Sequence, residues 1–396
     1  MTGDGSELST AVDHWLEQHG DGLIALRREF HANPELSGAE YATTRTVADR
    51  LDLAGLTTHG LSVGTGLWCD VGADPGERIA IRADLDALAM HDDKDVIYRS
   101  LVDGVSHACG HDVHTVVALG TALFFARHPD RRPGNLRFVF QPAEERVPGG
   151  ALDVLADDAL ADCDAIVGLH CEPKLEVGTI GVRPGPVSSA ADMMTVELIG
   201  PGGHTARPEL TVNLIAAAAT VITDLPMRVA EMLGHEHEVK LVFGSVQAGD
   251  AGNVIPTRAT LRASVRTPSL DAWEKLPDVV ERALHEILAG TGAECELDYT
   301  HGVPPVINDR AVTEEVARAA VRRFGDDRVV TVEQSWGADD FAWYTREVPG
   351  SYVRLGVHDP TSTQRRDLHA GHFDVDERSI AVGIRLLTSF IEEHFA

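Results

Sequence analysis

Apolar residues recur at three- and four-residue spacing from Leu8 to Phe30 and again from Tyr41 to Leu53. Both runs predict amphipathic helices, the second stopped at Gly55. The pattern then shortens. Leu67–Val71 and Arg78–Ala83 are apolar runs of strand length, and the latter opens into Asp84-Leu85-Asp86. Asn135–Phe140 is a third such run and delivers Gln141-Pro142-Ala143-Glu144-Glu145; Ala165–Leu169 is a fourth and delivers His170. Helical segments separate these runs, which predicts an α/β fold whose short strands bring polar side chains to one sheet edge.

From about Ser188 the order changes to strand (Met193–Ile199), helix (Val212–Leu225), strand (Glu238–Val246), strand (Thr257–Arg266), helix (Asp271–Leu288) and strand (Glu294–Thr300). This βαββαβ order is the ferredoxin-like unit. Pro184-Gly185-Pro186 and Gly302-Val303-Pro304-Pro305 punctuate the two crossings. A helix at Ala311–Arg323, a strand at Tyr352–Val357, a polar loop at His358–His372 and a closing helix from Ser379 return to α/β character. The expected organisation is a discontinuous α/β domain, 1–186 and 301–396, with a mixed central sheet flanked by helices, and an inserted domain over 187–300.

Composition narrows the partners more than the fold. The 396 residues suffice for two hydrophobic cores. The net charge of −28 argues against nucleic acid and anionic membrane surfaces as partners, since both are polyanions. The five cysteines, Cys69, Cys109, Cys163, Cys171 and Cys295, are odd in number and form no C-x-x-C pair, which suits a reducing, cytoplasmic setting better than a disulfide framework. The N-terminal Met-Thr-Gly-Asp-Gly-Ser-Glu has neither the basic nor the apolar region of a secretory signal. No apolar run approaches the ~20 residues of a membrane span.

The densest chemistry lies in His107-Ala108-Cys109-Gly110-His111-Asp112-Val113-His114-Thr115. Asp112 is a candidate helix N-cap ahead of Val116–Leu119, which would leave Cys109 and His111 on a strand-to-helix loop. Thiolate and imidazole donors suit Zn²⁺ and similar late divalent ions. A buried small hydrophobe among satisfied core imidazoles is the competing reading. Glu144-Glu145 can divide its work, one carboxylate binding a metal and the other holding a proton beside it, as metal-assisted hydrolysis requires. A solvated acidic turn is the alternative there. His170 and His369 are isolated histidines of a kind that more often packs or meets solvent, and Cys171 can ligate or pack. His204, in Gly202–Pro208, lies in the inserted domain and reaches a site in the first only if the domains close or another subunit supplies it. The Gly249–Pro256 loop carries Asn253. No G-x-S-x-G elbow, Walker loop or H-E-x-x-H helix is present, and Ser188-Ser189 has no evident base.

Together these stretches resemble the M20 family of metallopeptidases and amidohydrolases, in particular the branch of hippurate hydrolases, N-acyl-amino-acid deacylases and auxin-conjugate hydrolases. Arg82–Leu88, His107–Thr115, Gln141–Glu145, Gly168-Leu169-His170, Gly203-His204-Thr205, Gly252–Pro256 and Leu368-His369 carry the resemblance, in the family's order and over nearly the whole chain. The wording is also similar to that of actinobacterial amidohydrolases. The resemblance implies two divalent metal ions per subunit, Zn²⁺ or Mn²⁺ foremost and Co²⁺ or Ni²⁺ next, held by Cys109, His111, Glu145, His170 and His369. It implies Glu144 as general base, Asp86 as an orienting group, His204 as oxyanion stabiliser and Asn253 as a substrate contact. It further implies a homodimer, or a tetramer, through the inserted lid domain. The implied reaction is hydrolysis of hippurate-like or N-acetyl amino acids to a carboxylate and a free amino acid. A dipeptidase or carboxypeptidase on the same site and a non-catalytic metal-binding relative are the alternatives. Ala89, Arg146-Val147-Pro148, Asp339 and Gly371 depart from the branch's usual wording without removing a ligand or the base.

Overall fold

Short apolar strands that are buried on both faces need helices on both sides, and the first half of the chain supplies them in alternation. The computed structural model describes residues 7–72 and 75–396; Met1–Ser6 of the polar N-terminal stretch lie outside them. The chain divides into two compact units, Met1–Val187 with Ile307–Glu333 and Asp340–Ala396, and Ser188–Val306 with Gln334–Asp339.

In the first unit an eight-stranded sheet runs in the order Thr58–Gly60, Leu67–Val71, Asn135–Gln141, Arg78–Asp84, Ala165–Glu176, Gly350–His358, Ile180–Val182, Val329–Thr331. The middle four strands are parallel and antiparallel neighbours flank them, so the sheet is mixed. Every residue of Asn135–Gln141 is buried. Register brings the carboxyl ends together, because Asp84 pairs with Gln141 and Arg82 pairs with Gly168, two residues ahead of His170.

The His111–Arg127 helix is buried on all sides and shows no polar face. It packs against both Glu7–Ala32 and the closing helix Arg378–His394. A Cβ on Gly120 would stand 2.6 Å from Ile384 Cδ1, and one on Gly383 would stand 2.8 Å from Val117, so the crossing needs glycine on each helix. The expectation that Asp112 caps this helix is corrected. The helix starts at His111 behind Gly110, whose φ is 92°, and the Asp112 carboxylate turns instead to the buried Arg27. The Asp112 Oδ2 meets that charged partner in a dry environment, while its Oδ1 accepts the adjacent Val113 amide at 3.0 Å, within the helix and not as a cap.

The second unit has a four-stranded antiparallel sheet in the order Lys240–Ala248, Arg258–Arg266, Ala191–Ile199, Glu294–Val303. The helices Leu214–Leu233 and Leu270–Leu288 pack on it, completing the βαββαβ order around a core that includes Val196, Leu198, Val221, Leu261 and Val280. The first helix runs through Pro226 to Leu233, past the expected end at Leu225. Val221, Leu225, Val229 and Leu233 continue a buried stripe across the proline, and that burial outweighs its cost of about 3 kcal/mol. The 334–339 segment joins this unit although the hydrophobic pattern groups it with the first domain. Its Trp336 carbonyl accepts from Ser189 Oγ (2.8 Å) and Arg266 Nη1 (3.0 Å), and Lys240 Nζ lies 3.7 Å above its ring.

All five cysteines are free thiols. Among the described residues no helix is long and apolar enough to cross a membrane.

Asp13, on the Glu7–Ala32 helix, accepts from Arg385 Nε at 2.7 Å and is ion-paired to Arg323, joining three helices. Partial burial works to raise its carboxyl, but the two arginines outweigh it and hold the pKa below the usual value. Its stabilising contribution is therefore complete above the unfolded-state pKa, near 4, and is lost as pH falls through the depressed folded-state value. Asp13→Asn should lower stability at pH 7 by less than about 1 kcal/mol, because the pair is partly exposed. The gap from wild type should close progressively below about pH 4. A gap in urea midpoints that stays constant between pH 7 and pH 3 would rule out the ion-pair account.

Candidate metal centre

Several chain segments bring donors together beside the first unit's sheet; His170 comes from within the Ala165–Glu176 strand, which continues past the expected end at Leu169. Cys109 Sγ lies 3.4 Å from His170 Nε2. Glu145 Oε1 lies 3.8 Å from His111 Nε2 and 3.3 Å from His369 Nε2. One ligand atom from each of Cys109, His111 and Glu145 falls within 4.8 Å of the other two. Glu144 Oε2 is 3.9 Å from His111 Nε2. The structure thus gathers Cys109, His111, Glu144, Glu145, His170 and His369 in one place.

Asp86 organises the pair of glutamates. Its Oδ1 accepts from the Glu144 amide (3.1 Å), and its Oδ2 accepts from the Glu145 amide (3.0 Å) and Ser37 Oγ (2.6 Å). The Asp86 backbone carbonyl faces His111 Nδ1 at 2.9 Å. A carbonyl can only accept, so Nδ1 carries a proton, and Nε2 is the nitrogen that faces the carboxylates and would ligate an ion bound among them. Two residues here hold left-handed backbone without being glycine: Ala143 at φ 54°, immediately before the glutamates, and His369 at φ 56°. Such strain persists only where surrounding bonds over-determine it. The Ala143 amide donates to Glu40 Oε1 (2.9 Å), and the His369 amide donates to the Ala108 carbonyl (2.8 Å), fastening the late loop beside Cys109.

The donor chemistry fits a divalent cation. His111 Nε2 and Glu145 Oε1 are buried with no hydrogen-bond partner, a cost of about 1–3 kcal/mol each if nothing binds there. Burial opposes charge on His111, yet the Asp84, Asp86 and Glu145 carboxylates lift its pKa to about 10, so the pocket demands positive charge. At His170 burial dominates, aided by Arg354 and His114, and holds the pKa well below the imidazole range, keeping the ring neutral with a lone pair to offer. Thiolate, imidazole and carboxylate donors together suit a late divalent ion. Cys171 packs instead: its Sγ sits 3.8 Å from the Gly110 carbonyl, and burial, with Asp112 and Asp84, pushes its pKa far up.

His204 and Asn253 belong to the second unit. His204 pairs with Val254 in a two-stranded ribbon, and the Thr205 amide donates to the Asn253 carbonyl (3.3 Å), so the two are neighbours on one exposed feature. His204 Nδ1 accepts from the Ala206 amide at 3.0 Å.

Residues 80–393 match the family model described as Peptidase family M20/M25/M40. The chain belongs to the M20 family. It is thereby a hydrolase of the class that acts on amide bonds. It is 44% identical over 367 residues to a Rhodococcus jostii protein named as a glutamate–cysteine ligase (2-3), covering 93% of this chain but only 46% of that one. This chain thus spans about half the length of that relative. It is 35% identical over 362 residues to an N-acetylcysteine deacetylase of Bacillus subtilis, covering 91% of this chain and 93% of the other. Among solved structures, a dinuclear metal-binding M20 peptidase of Bacillus subtilis superposes with a TM-score of 0.83 at 33% identity, covering 95% of this chain and 98% of that one.

What the sequence pattern did not reveal in this M20 chain is a buried network behind the donors. Arg27 Nε and His31 Nδ1 each lie 2.7 Å from Asp112 Oδ2, and His31 Nε2 lies 3.2 Å from Asp92. Arg27 also reaches Asp374 (3.3 Å) and Glu377 (3.4 Å), which follow His369 in the chain. The first helix therefore ties the His111 turn to the stretch beyond His369. A signal was available, because Arg27 and His31 sit among Leu23, Leu26 and Phe30 on the apolar face, where a charge needs a partner. Arg27→Met should cost about 3–5 kcal/mol in urea unfolding, since it strands a buried Asp112. A cost below about 1 kcal/mol would mean that Asp112 is compensated without it.

Proposed function

We propose that this chain hydrolyses the amide bond of N-acyl amino acids, releasing a carboxylate and a free amino acid. The observation that carries the reading is the Glu144-Glu145 pair, fixed through its two amides by one carboxylate, with an oxygen of each glutamate near the partnerless His111 Nε2. Cys109, His111, Glu145, His170 and His369 would hold two divalent ions, with the thiolate favouring Zn²⁺. When bound, such ions supply Lewis acidity that polarises the scissile carbonyl and acidifies water. Glu144 takes the proton of the attacking water and passes it to the leaving amine nitrogen, so the amino acid departs neutral at nitrogen. Asp86 holds both glutamates and His111 in place for this transfer. His204 stabilises the oxyanion and Asn253 contacts the substrate, His204 being donated across a homodimer. A cytoplasmic setting agrees with five free thiols.

N-acylcysteines stand first among the substrates. One relative is named for deacetylating N-acetylcysteine and another for joining glutamate to cysteine. The chemistry common to both is an amide on the cysteine nitrogen.

Chelated protein reloaded separately with Zn²⁺, Mn²⁺, Co²⁺ and Ni²⁺ should release amino acid from N-acetylcysteine faster than from N-benzoylglycine, and from both faster than from unblocked dipeptides. Glu144→Gln should lower kcat by about 10²–10⁴-fold with metal content unchanged. Near-normal turnover in that variant would remove Glu144 from the role of base. Preference for dipeptides would replace the substrate class. Mixing Glu144→Gln chains with His204→Ala chains should restore partial activity through hybrid dimers. No rescue after confirmed subunit exchange would exclude donation across the dimer.

A further inference from the structure

Three carboxylate oxygens stand at nearly the same distance from His111 Nε2: Glu145 Oε1 at 3.8 Å, Glu144 Oε2 at 3.9 Å and Asp84 Oδ2 at 3.7 Å. Asp84 is as near as the two glutamates, wholly buried, and able to group with His111 and His114 around a common ion. Its two oxygens are committed elsewhere. Oδ1 accepts from His114 Nδ1 at 2.7 Å, and His114 Nε2 in turn accepts the Cys171 amide at 2.9 Å, which requires the proton on Nδ1. Oδ2, the oxygen that faces His111, accepts from Arg82 Nη1 at 2.5 Å.

Arg82 cannot swing away from this contact. Its Nε donates to Gln141 Oε1 (2.8 Å) and its Nη2 donates to Asp340 Oδ1 (2.9 Å). Asp340 Oδ2 accepts from Gln141 Nε2 (2.7 Å) and the Ala151 amide (2.9 Å), and Tyr344 Oη donates to Gln141 Oε1 (2.9 Å). The guanidinium fork is thus pinned on three sides, a geometry that an ammonium cannot reproduce.

We propose that Arg82 is a positioning residue that decides which carboxylates enter the metal centre: by holding Asp84 Oδ2 it keeps that side chain on His114 and out of the set formed by the thiolate, the imidazoles and Glu145. Without Arg82, Asp84 turns its free oxygen to the ion beside His111. The centre then gains a hard oxygen donor and moves its preference from Co²⁺ and Zn²⁺ toward Mn²⁺. This inference rests on the metal reading of the site given above.

The test is competition binding of Co²⁺ and of Mn²⁺, each alone, to chelated full-length protein, with the ratio of the two Kd values as the readout. Arg82→Met should shift that ratio toward Mn²⁺ by about tenfold or more, the range in which groups supporting a ligand act. Adding Asp84→Asn to Arg82→Met should return the ratio to within about threefold of wild type. A merely structural arginine would weaken both ions alike and leave the ratio unmoved. An unchanged ratio in Arg82→Met, or a shift that persists in the double variant, overturns the proposal. If Arg82→Met does not fold, Arg82→Lys is measured instead, with and without Asp84→Asn. It keeps the charge but loses the fork, so it should show a smaller shift of the same sign that Asp84→Asn cancels, and an unmoved ratio overturns the proposal. Wild-type protein that binds neither ion would overturn the metal reading itself, and this inference with it. Normal metal binding with inert chemistry would overturn only the catalytic reading.

Discussion

Charge buried at the carboxyl edge of a sheet has to be neutralised, and the first unit is arranged around that demand. Asp84, Asp86, Asp112 and Asp340 are all buried there. Leaving any of them unpaired would cost several kcal/mol, comparable to a large share of a domain's net stability. Two buried arginines on different elements of the first unit meet much of the demand. Arg82, on a central strand, serves Asp84 and Asp340; Arg27, on the first helix, serves Asp112, Asp374 and Glu377. Glu145 Oε1, buried beside His111 Nε2 with no hydrogen-bond partner, is the carboxylate oxygen that asks for a cation from outside the chain.

That division explains the rigidity of the site. Asp86 takes two consecutive amides and a serine hydroxyl, so Glu144 and Glu145 are placed by their backbone before their side chains do anything. The strained φ values at Ala143 and His369 are maintained by bonds to Glu40 and Ala108. In the proposed reaction, a base that must meet a water proton within hydrogen-bond reach benefits from a backbone that cannot relax away. The second unit answers a different constraint. Its ferredoxin-like sheet has a core of its own, and its exposed ribbon brings His204 and Asn253 side by side.

Periodicity and motif alone were enough for the α/β class, the βαββαβ unit, and the placement of Asp86, Glu144 and Glu145 just beyond strand ends. These depend on local rules: strand and helix periods, and the habit of parallel strands to end where polar side chains collect. His111 instead opens a helix, and His170 lies within a strand that continues past the expected end at Leu169 to Glu176. What escaped that reading depended on partners distant in sequence. Asp112 looked like an N-cap because capping is a local rule, whereas the residue that claims its carboxylate, Arg27, lies 85 positions earlier. The helix across Pro226 followed burial instead of the proline, and the 334–339 segment followed Ser189, Lys240 and Arg266 instead of its neighbours.

By itself, then, the sequence determined the element types and named the candidate residues, because helix and strand periods and short motifs are local patterns. Only the tertiary structure decided which carboxylates are satisfied and which remain available: Asp84 beside Arg82 and His114, Asp86 beneath two amides, Glu145 open toward His111 and His369. The reason is physical. The worth of a buried charge is set by the groups packed within a few ångströms of it, and those groups come from segments that only the fold brings together.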